Sequence, residues 1–215
     1  FLGLCKANAY GHGAAVIGHT LERLGADMLA VACVSEAEEL RQSGVKLPIL
    51  CLGETPEELI PLLLELDVTQ MVEDLETGRA LARAAQAAGR TLKIHVKVDT
   101  GMTRLGFLCD EAHMTQSAQE ITEAVRLPGL HAEGIFTHFS DSDGSEEYTM
   151  MQFNRFLDII QKVKELGYEF AIRHCANTGS VARYPETYLD MVRPGLLLYG
   201  YGEFAEELNL KPVMS

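Results

Sequence analysis

Phe1-Leu2-Gly3-Leu4-Cys5-Lys6-Ala7-Asn8-Ala9-Tyr10-Gly11-His12-Gly13 changes character twice, and those changes decide the fold. The first four residues are an apolar run suited to a short strand. Lys6 stands at the strand's C-terminal end, before a glycine-rich turn. Residues 14–24 then place Val16, Leu21 and Leu24 in one stripe at helical spacing. Strand, polar turn and helix form one βα unit, and the rest of the chain repeats it. Strands are expected over 1–5, 28–33, 47–52, 68–72, 92–98, 130–138, 170–174 and 189–192. Helical patterns fall between them over 14–24, 35–42, 55–66, 75–88, 110–125 and 146–166. Ser35 and Glu38 read as a capping box, and Gly89 and Gly167 sit where C-caps belong.

An alternation of this kind fits either a doubly wound sheet or a (β/α)8 barrel. The count of about eight units favours the barrel. So does the spread of polar residues, which follow the first, fifth, sixth, seventh and eighth strands, because a barrel gathers loops from many strand ends on one face. No GxGxxG follows the first strand, which weakens a dinucleotide-binding alternative. We read a TIM barrel over 1–203 and the start of a linker over 204–215.

Composition bounds the function. The 215 residues are 47% hydrophobic and 23% charged, ordinary for a globular domain. A net charge of −13 argues against nucleic-acid or anionic-membrane partners. No apolar run approaches the roughly 18 residues of a membrane span. Cys5, Cys33, Cys51, Cys109 and Cys175 form no CxxC pair, and reduced thiols in a cytoplasmic protein are expected. The chain opens on a strand without Met and stops at Lys211-Pro212-Val213-Met214-Ser215, so a piece of a longer protein is expected.

The chemistry-bearing residues sit at the strand ends. A desolvated lysine such as Lys6 can form a Schiff base with a carbonyl cofactor, and Tyr10, four residues on, reaches the same pocket. In His95-Val96-Lys97-Val98-Asp99-Thr100-Gly101-Met102-Thr103-Arg104 alternation puts His95, Lys97 and Asp99 on one side. Charges inside a barrel wall must be paired or working. Arg104 lies on the following loop, able to reach back over the barrel mouth. His138 ends the sixth strand. Asn177-Thr178-Gly179-Ser180 follows the seventh, and Arg193-Pro194-Gly195-Leu196 the eighth. Loops after the last two strands are the usual phosphate site of such barrels. For Asn177-Thr178 alone, a plain helix N-cap fits as well.

These strings closely resemble the alanine racemases over nearly the whole chain. CKANAYGHG is similar to the family's pyridoxal phosphate lysine motif, and DTGMTRLG to its arginine motif. The resemblance implies that Lys6 is the Schiff-base residue and the acid/base for one face of the substrate. It implies that Arg104 bonds the cofactor's phenolic oxygen and the substrate carboxylate, and that Lys97 is carbamylated and positions it. His138 would stack near the pyridine ring and steady Arg193. Tyr10, Asn177, Thr178, Gly195 and Leu196 match phosphate-binding positions, though the family more often has serine at the place of Thr178. Arg193, a permanent donor, would keep the pyridine nitrogen unprotonated and limit a long-lived carbanion, which suits two-base racemisation. The opposite base in the family is a tyrosine from a C-terminal β domain across a homodimer interface. The 215 residues alone are therefore expected to bind cofactor weakly and racemise poorly. Serine or broad-specificity racemases share these motifs. Barrel-fold decarboxylases use a carboxylate at the pyridine nitrogen, and small cofactor-carrier barrels lack both strings.

Overall fold

A computed structural model describes residues 1–214. Its centre is a curled parallel sheet built from β1 (Leu2–Leu4), β2 (Met28–Val31), β3 (Ile49–Cys51), β4 (Val68–Val72), β5 (Leu92–Asp99), β7 (Leu130–Phe136) and β8 (Ile172–His174), in that spatial order. The two-residue β6 (Phe107–Leu108) pairs only with β5. Every pairing is parallel, as βα units require. The helices α2 (Ala14–Arg23), α3 (Val34–Gln42), α4 (Ile60–Glu65), α5 (Leu75–Ala87), α6 (Met114–Ala124) and α7 (Glu146–Glu165) follow their strands and cover the outer face.

Two apolar clusters result from strand alternation. Ile49, Val68, Val72, Ile94 and Val96 point outward and pack beneath the helices with residues such as Leu40, Leu81 and Phe156. Leu2, Leu4, Met28, Ala30, Leu50 and Met191 fill the inside on the β1–β3 side. The inside on the β5–β8 side is polar, with His95, Lys97, His174 and Arg193 all buried.

Two local expectations are corrected. Residues 189–192 do not form an eighth barrel strand. Leu189 sits at φ 48°, and Asp190 turns its carboxylate onto the main-chain N–H and guanidinium of Arg173 at 2.8, 2.7 and 3.1 Å. Single bonds close the ring instead, from Asp190 N to Arg173 O and from Leu2 N to Val192 O. The Ser35–Glu38 capping box does not form either. Helix α3 begins one residue earlier, at Val34, with Cys33 in the N-cap position, so Ser35 already lies in its first turn. All five cysteines are free. Among the described residues no helix is long and apolar enough to cross a membrane.

Candidate active site

The strand-end lysine leads into an unusual turn. In α1 (Lys6–Tyr10) the residues Ala7, Asn8, Ala9 and Tyr10 hold φ between 52° and 54°, one turn of left-handed helix without a glycine. That hand crowds Cβ against the next carbonyl, at roughly 1–2 kcal/mol per residue. Neighbours over-determine it. Ala9 N donates to Cys5 O and Gly11 N to Ala7 O. Asn8 Oδ1 accepts from Ala14 N at 2.7 Å, and Glu36 Oε1 accepts from Ala7 N at 2.6 Å. His12 stacks on Tyr199 with ring centroids 4.6 Å apart. The turn brings Lys6 and Tyr10 to one cavity, Lys6 Nζ lying 5.9 Å from the Tyr10 ring centroid.

Across the barrel, β5, β7 and β8 turn matched residues inward. His95 faces Gly134, Lys97 faces Phe136, and Phe136 faces His174. A register shift between Ile94 and His95 keeps this alternation in step. Arg193 is buried behind them. It donates to His174 Nδ1 at 2.9 Å, to Thr137 O at 2.8 Å and to Cys175 O at 3.1 Å. Because guanidinium has no acceptor, His174 must accept at Nδ1 and carry its proton on Nε2. That proton then points to His95 Nδ1, 2.9 Å away, so His95 holds its own on Nε2. Burial, reinforced by Arg193, lowers the His95 pKa to about 4 and that of His174 well below its usual value. Burial also lowers Arg193, to about 10, so it stays cationic at neutral pH. Among the described residues it has no carboxylate partner.

Asp99 and Lys97 share a strand but do not pair. The buried Asp99 carboxylate accepts the N–H groups of Gly101, Thr103 and Arg104 at 2.9, 3.0 and 2.8 Å, folding the loop that carries Arg104. Lys97 Nζ donates to Val98 O at 2.8 Å and Leu105 O at 3.0 Å, which fastens the same loop from inside. Burial, with Arg193 and Arg104 adding to it against Asp99, lowers its pKa to about 8. The link between Lys97 and Arg104 thus runs through the Leu105 carbonyl. His138 lines the cavity, and burial plus surrounding cations lower its pKa to about 3, leaving it neutral. The histidine hydrogen-bonded to Arg193 is His174, which stands beside the guanidinium on β8.

After β8, Asn177 is taken up as the N-cap of α8 (Thr178–Arg183), in a reciprocal capping box with Ser180. Its side chain also meets Ser142 and Phe139 O. Thr178 is free to face the cavity. Its Oγ1 accepts from Gly195 N at 2.9 Å, and a Cβ at residue 195 would lie 3.0 Å from Tyr10 Oη and 3.4 Å from that Oγ1. Two hydroxyls and a main-chain N–H therefore converge on a cradle kept open by glycine.

The resulting cavity measures about 480 Å³. Lys6, Lys97, Arg104 and Arg193 line it, and no carboxylate does among the described residues. A chain of net charge −13 thus concentrates cations around one pocket. The family model of the alanine racemase N-terminal domain matches residues 1–203. The chain belongs to that family. Alanine racemases from Desulforamulus reducens and Methanococcus maripaludis are 43% and 42% identical to it over its whole length. It spans 58% of each of them. The solved alanine racemase of Clostridium difficile 630, in complex with cycloserine, superposes with a TM-score of 0.93 at 41% identity, over 98% of this chain and 58% of that one. The Bacillus anthracis alanine racemase with bound L-Ala-P gives 0.87 at 30% identity, over 98% and 55%.

Within this racemase-family domain, Lys6, Tyr10, Lys97, Arg104, His138, Asn177, Thr178, Arg193, Gly195 and Leu196 all reach the one cavity. Glu36 and His174 were not singled out from sequence. Strand alternation could have flagged His174, two residues beyond Ile172 on the inward face. Nothing local points to Glu36, whose partner Ala7 is 29 residues away.

Proposed function

We propose that the protein is a pyridoxal phosphate-dependent amino-acid racemase with alanine as substrate. The observation that carries this is the cavity itself: a strand-end lysine among four cations, with an arginine rather than a carboxylate deepest in the pocket. The residues fit the cofactor. The hydroxyls of Tyr10 and Thr178, the latter held by the Gly195 N–H, suit its phosphate in the space that Gly195 leaves open, and Lys6 suits its aldehyde carbon. Bound there, pyridoxal phosphate supplies an electron sink that acidifies the α-proton of an amino acid. Lys6 Nζ then takes or returns that proton on its own face. Arg193, locked as a donor by three acceptors, offers its remaining N–H groups and withholds a proton acceptor, which opposes the carboxylate-tuned chemistry of decarboxylases. Arg104, on a loop pinned from both sides, receives the substrate carboxylate.

The amine of Lys97, with its lowered pKa, is suited to add carbon dioxide, and we assign it as the carbamylation site. A 44-dalton-class mass increment lost on acidification would support that, and an unmodified Lys97 at saturating bicarbonate would exclude it. The opposite-face base and the homodimer that supplies it belong to the whole protein's reaction, since family resemblance puts both beyond residue 203.

The test is borohydride reduction after incubation with pyridoxal phosphate, with the labelled peptide located by mass spectrometry. A phosphopyridoxyl group on Lys6 supports the reading. Label on other lysines only, in a folded sample, defeats it.

A further inference from the structure

Glu36 lies in the first turn of α3, outside the cavity, and both of its carboxylate oxygens are used. Oε1 accepts from Ala7 N at 2.6 Å and Oε2 from Ala32 N at 2.7 Å. Ala7 is the residue directly after Lys6 and the first of the four left-handed ones; Ala32 lies just past the end of β2 and lines the cavity. One carboxylate therefore ties the start of the strained turn to the wall of the neighbouring strand. Backbone ladders do not do this. Cys5 N is bound to Ala30 O, the last ladder-type bond between β1 and β2, and beyond it the two chains are joined through Glu36.

We propose that Glu36 is a positioning residue for Lys6. Its carboxylate holds Ala7 in the left-handed region and so aims the Lys6 side chain, together with Tyr10, into the cavity. The chemistry is specific to a carboxylate. Two N–H donors converge on it, and both are satisfied only by two acceptor oxygens. An amide of the same shape offers one oxygen and turns an NH2 against the second donor. The strain has a named owner as well: Ala7 is exposed, so its left-handed φ gains nothing from burial of its methyl. A glycine would adopt that φ without the Cβ penalty. This inference rests on the lysine reading above for one of its two readouts.

The experiment compares the unmutated protein, Glu36→Gln, Ala7→Gly and the double variant. Amide exchange over residues 7–11 is read in the absence of cofactor. Lys6 labelling is read by borohydride trapping at one subsaturating pyridoxal phosphate concentration. Glu36→Gln is expected to speed exchange in residues 7–11 at least tenfold with β5 amides unchanged, and to lower Lys6 labelling at least fivefold. Ala7→Gly in that background is expected to restore labelling to within twofold, because it removes the strain that Glu36 opposes. A purely structural glutamate would not be rescued by an exposed glycine. Unchanged exchange at residues 7–11 in Glu36→Gln overturns the inference, as does lost labelling that Ala7→Gly leaves lost. If the unmutated protein takes no label at Lys6, the cofactor reading fails, and the exchange comparison alone decides the role of Glu36. Should Glu36→Gln not fold, Glu36→Asp, too short to span both donors, replaces it in the same comparison.

Discussion

Replacing Gly134 by alanine tests the buried histidine chain without touching a titratable group. Gly134 lies on β7 opposite His95, and a Cβ built there would be 2.6 Å from Cε1, 2.7 Å from Nδ1 and 2.9 Å from Nε2 of that ring. Ordinary carbon contacts lie near 3.5–4.0 Å, so the ring must retreat by about 1 Å. It has no free space, since His95 is fully buried. Its Nδ1 also accepts the His174 bond at 2.9 Å, so retreat strains that bond and leaves the His174 N–H poorly satisfied. Overpacking costs about 1–3 kcal/mol and an orphaned buried donor about 1–3 more, giving roughly 2–6 kcal/mol in total. For a chain of this size that corresponds to a fall in melting temperature of roughly 4–24 °C. Urea unfolding at pH 7 measures it directly. In a His95→Ala background the methyl has room, and the cost of Gly134→Ala should drop below about 1 kcal/mol. A Gly134→Ala protein within about 0.5 kcal/mol of wild type, or an equal cost in both backgrounds, would refute the contact and the chain built on it.

Further outcomes follow from the same geometry. The folded-state pKa values of His95 and His138 are lowered to about 4 and about 3 by burial and cations, while the unfolded chain protonates near 6.5. The stability they contribute is complete above about pH 6.5 and is lost as pH falls toward 4. By pH 5 the loss is about 2 kcal/mol per histidine, read as a shift in urea midpoint that His95→Gln makes smaller. Lys97, lowered to about 8, penalises the fold fully below that pH. With carbon dioxide excluded so that the amine is unmodified, wild type should therefore gain about 3 kcal/mol on Lys97→Met between pH 8 and 10.5, and a constant difference across that window would exclude a buried, perturbed amine. Gly195→Ala places a methyl 3.0 Å from Tyr10 Oη, in the anion cradle. Equilibrium titration with pyridoxal phosphate should show affinity weakened about 10- to 100-fold with little change in melting temperature, the worth of one or two charge-assisted hydrogen bonds.

The chain itself determined whatever is local. Period-two apolar runs and 3.6-residue stripes made the βα alternation legible, with six expected helical segments realised to within a few residues at most ends. Because barrel loops carry chemistry at strand C-termini, Lys6, Lys97, Arg104, His138, Thr178 and Arg193 could be picked out from their places after apolar runs, and they meet at one cavity. Tertiary structure decided what depends on register and on distant partners. The left-handed sense of α1 is invisible in Ala7-Asn8-Ala9-Tyr10, none of which is glycine, because a carboxylate from α3 and the Tyr199 ring hold it. Alternation put Asp99 on the same side as Lys97, but its carboxylate is bound by three amides of the loop that follows, which the alternation does not show. The His95–His174–Arg193 chain joins residues 79 and 19 apart, and its proton order follows only from their contact. Residues 189–192 have a strand's composition, yet Asp190 bound Arg173 and left single hydrogen bonds to close the barrel. A window of sequence encodes which face a residue prefers, whereas the identity of the group waiting on that face is set by how the strands align across the barrel.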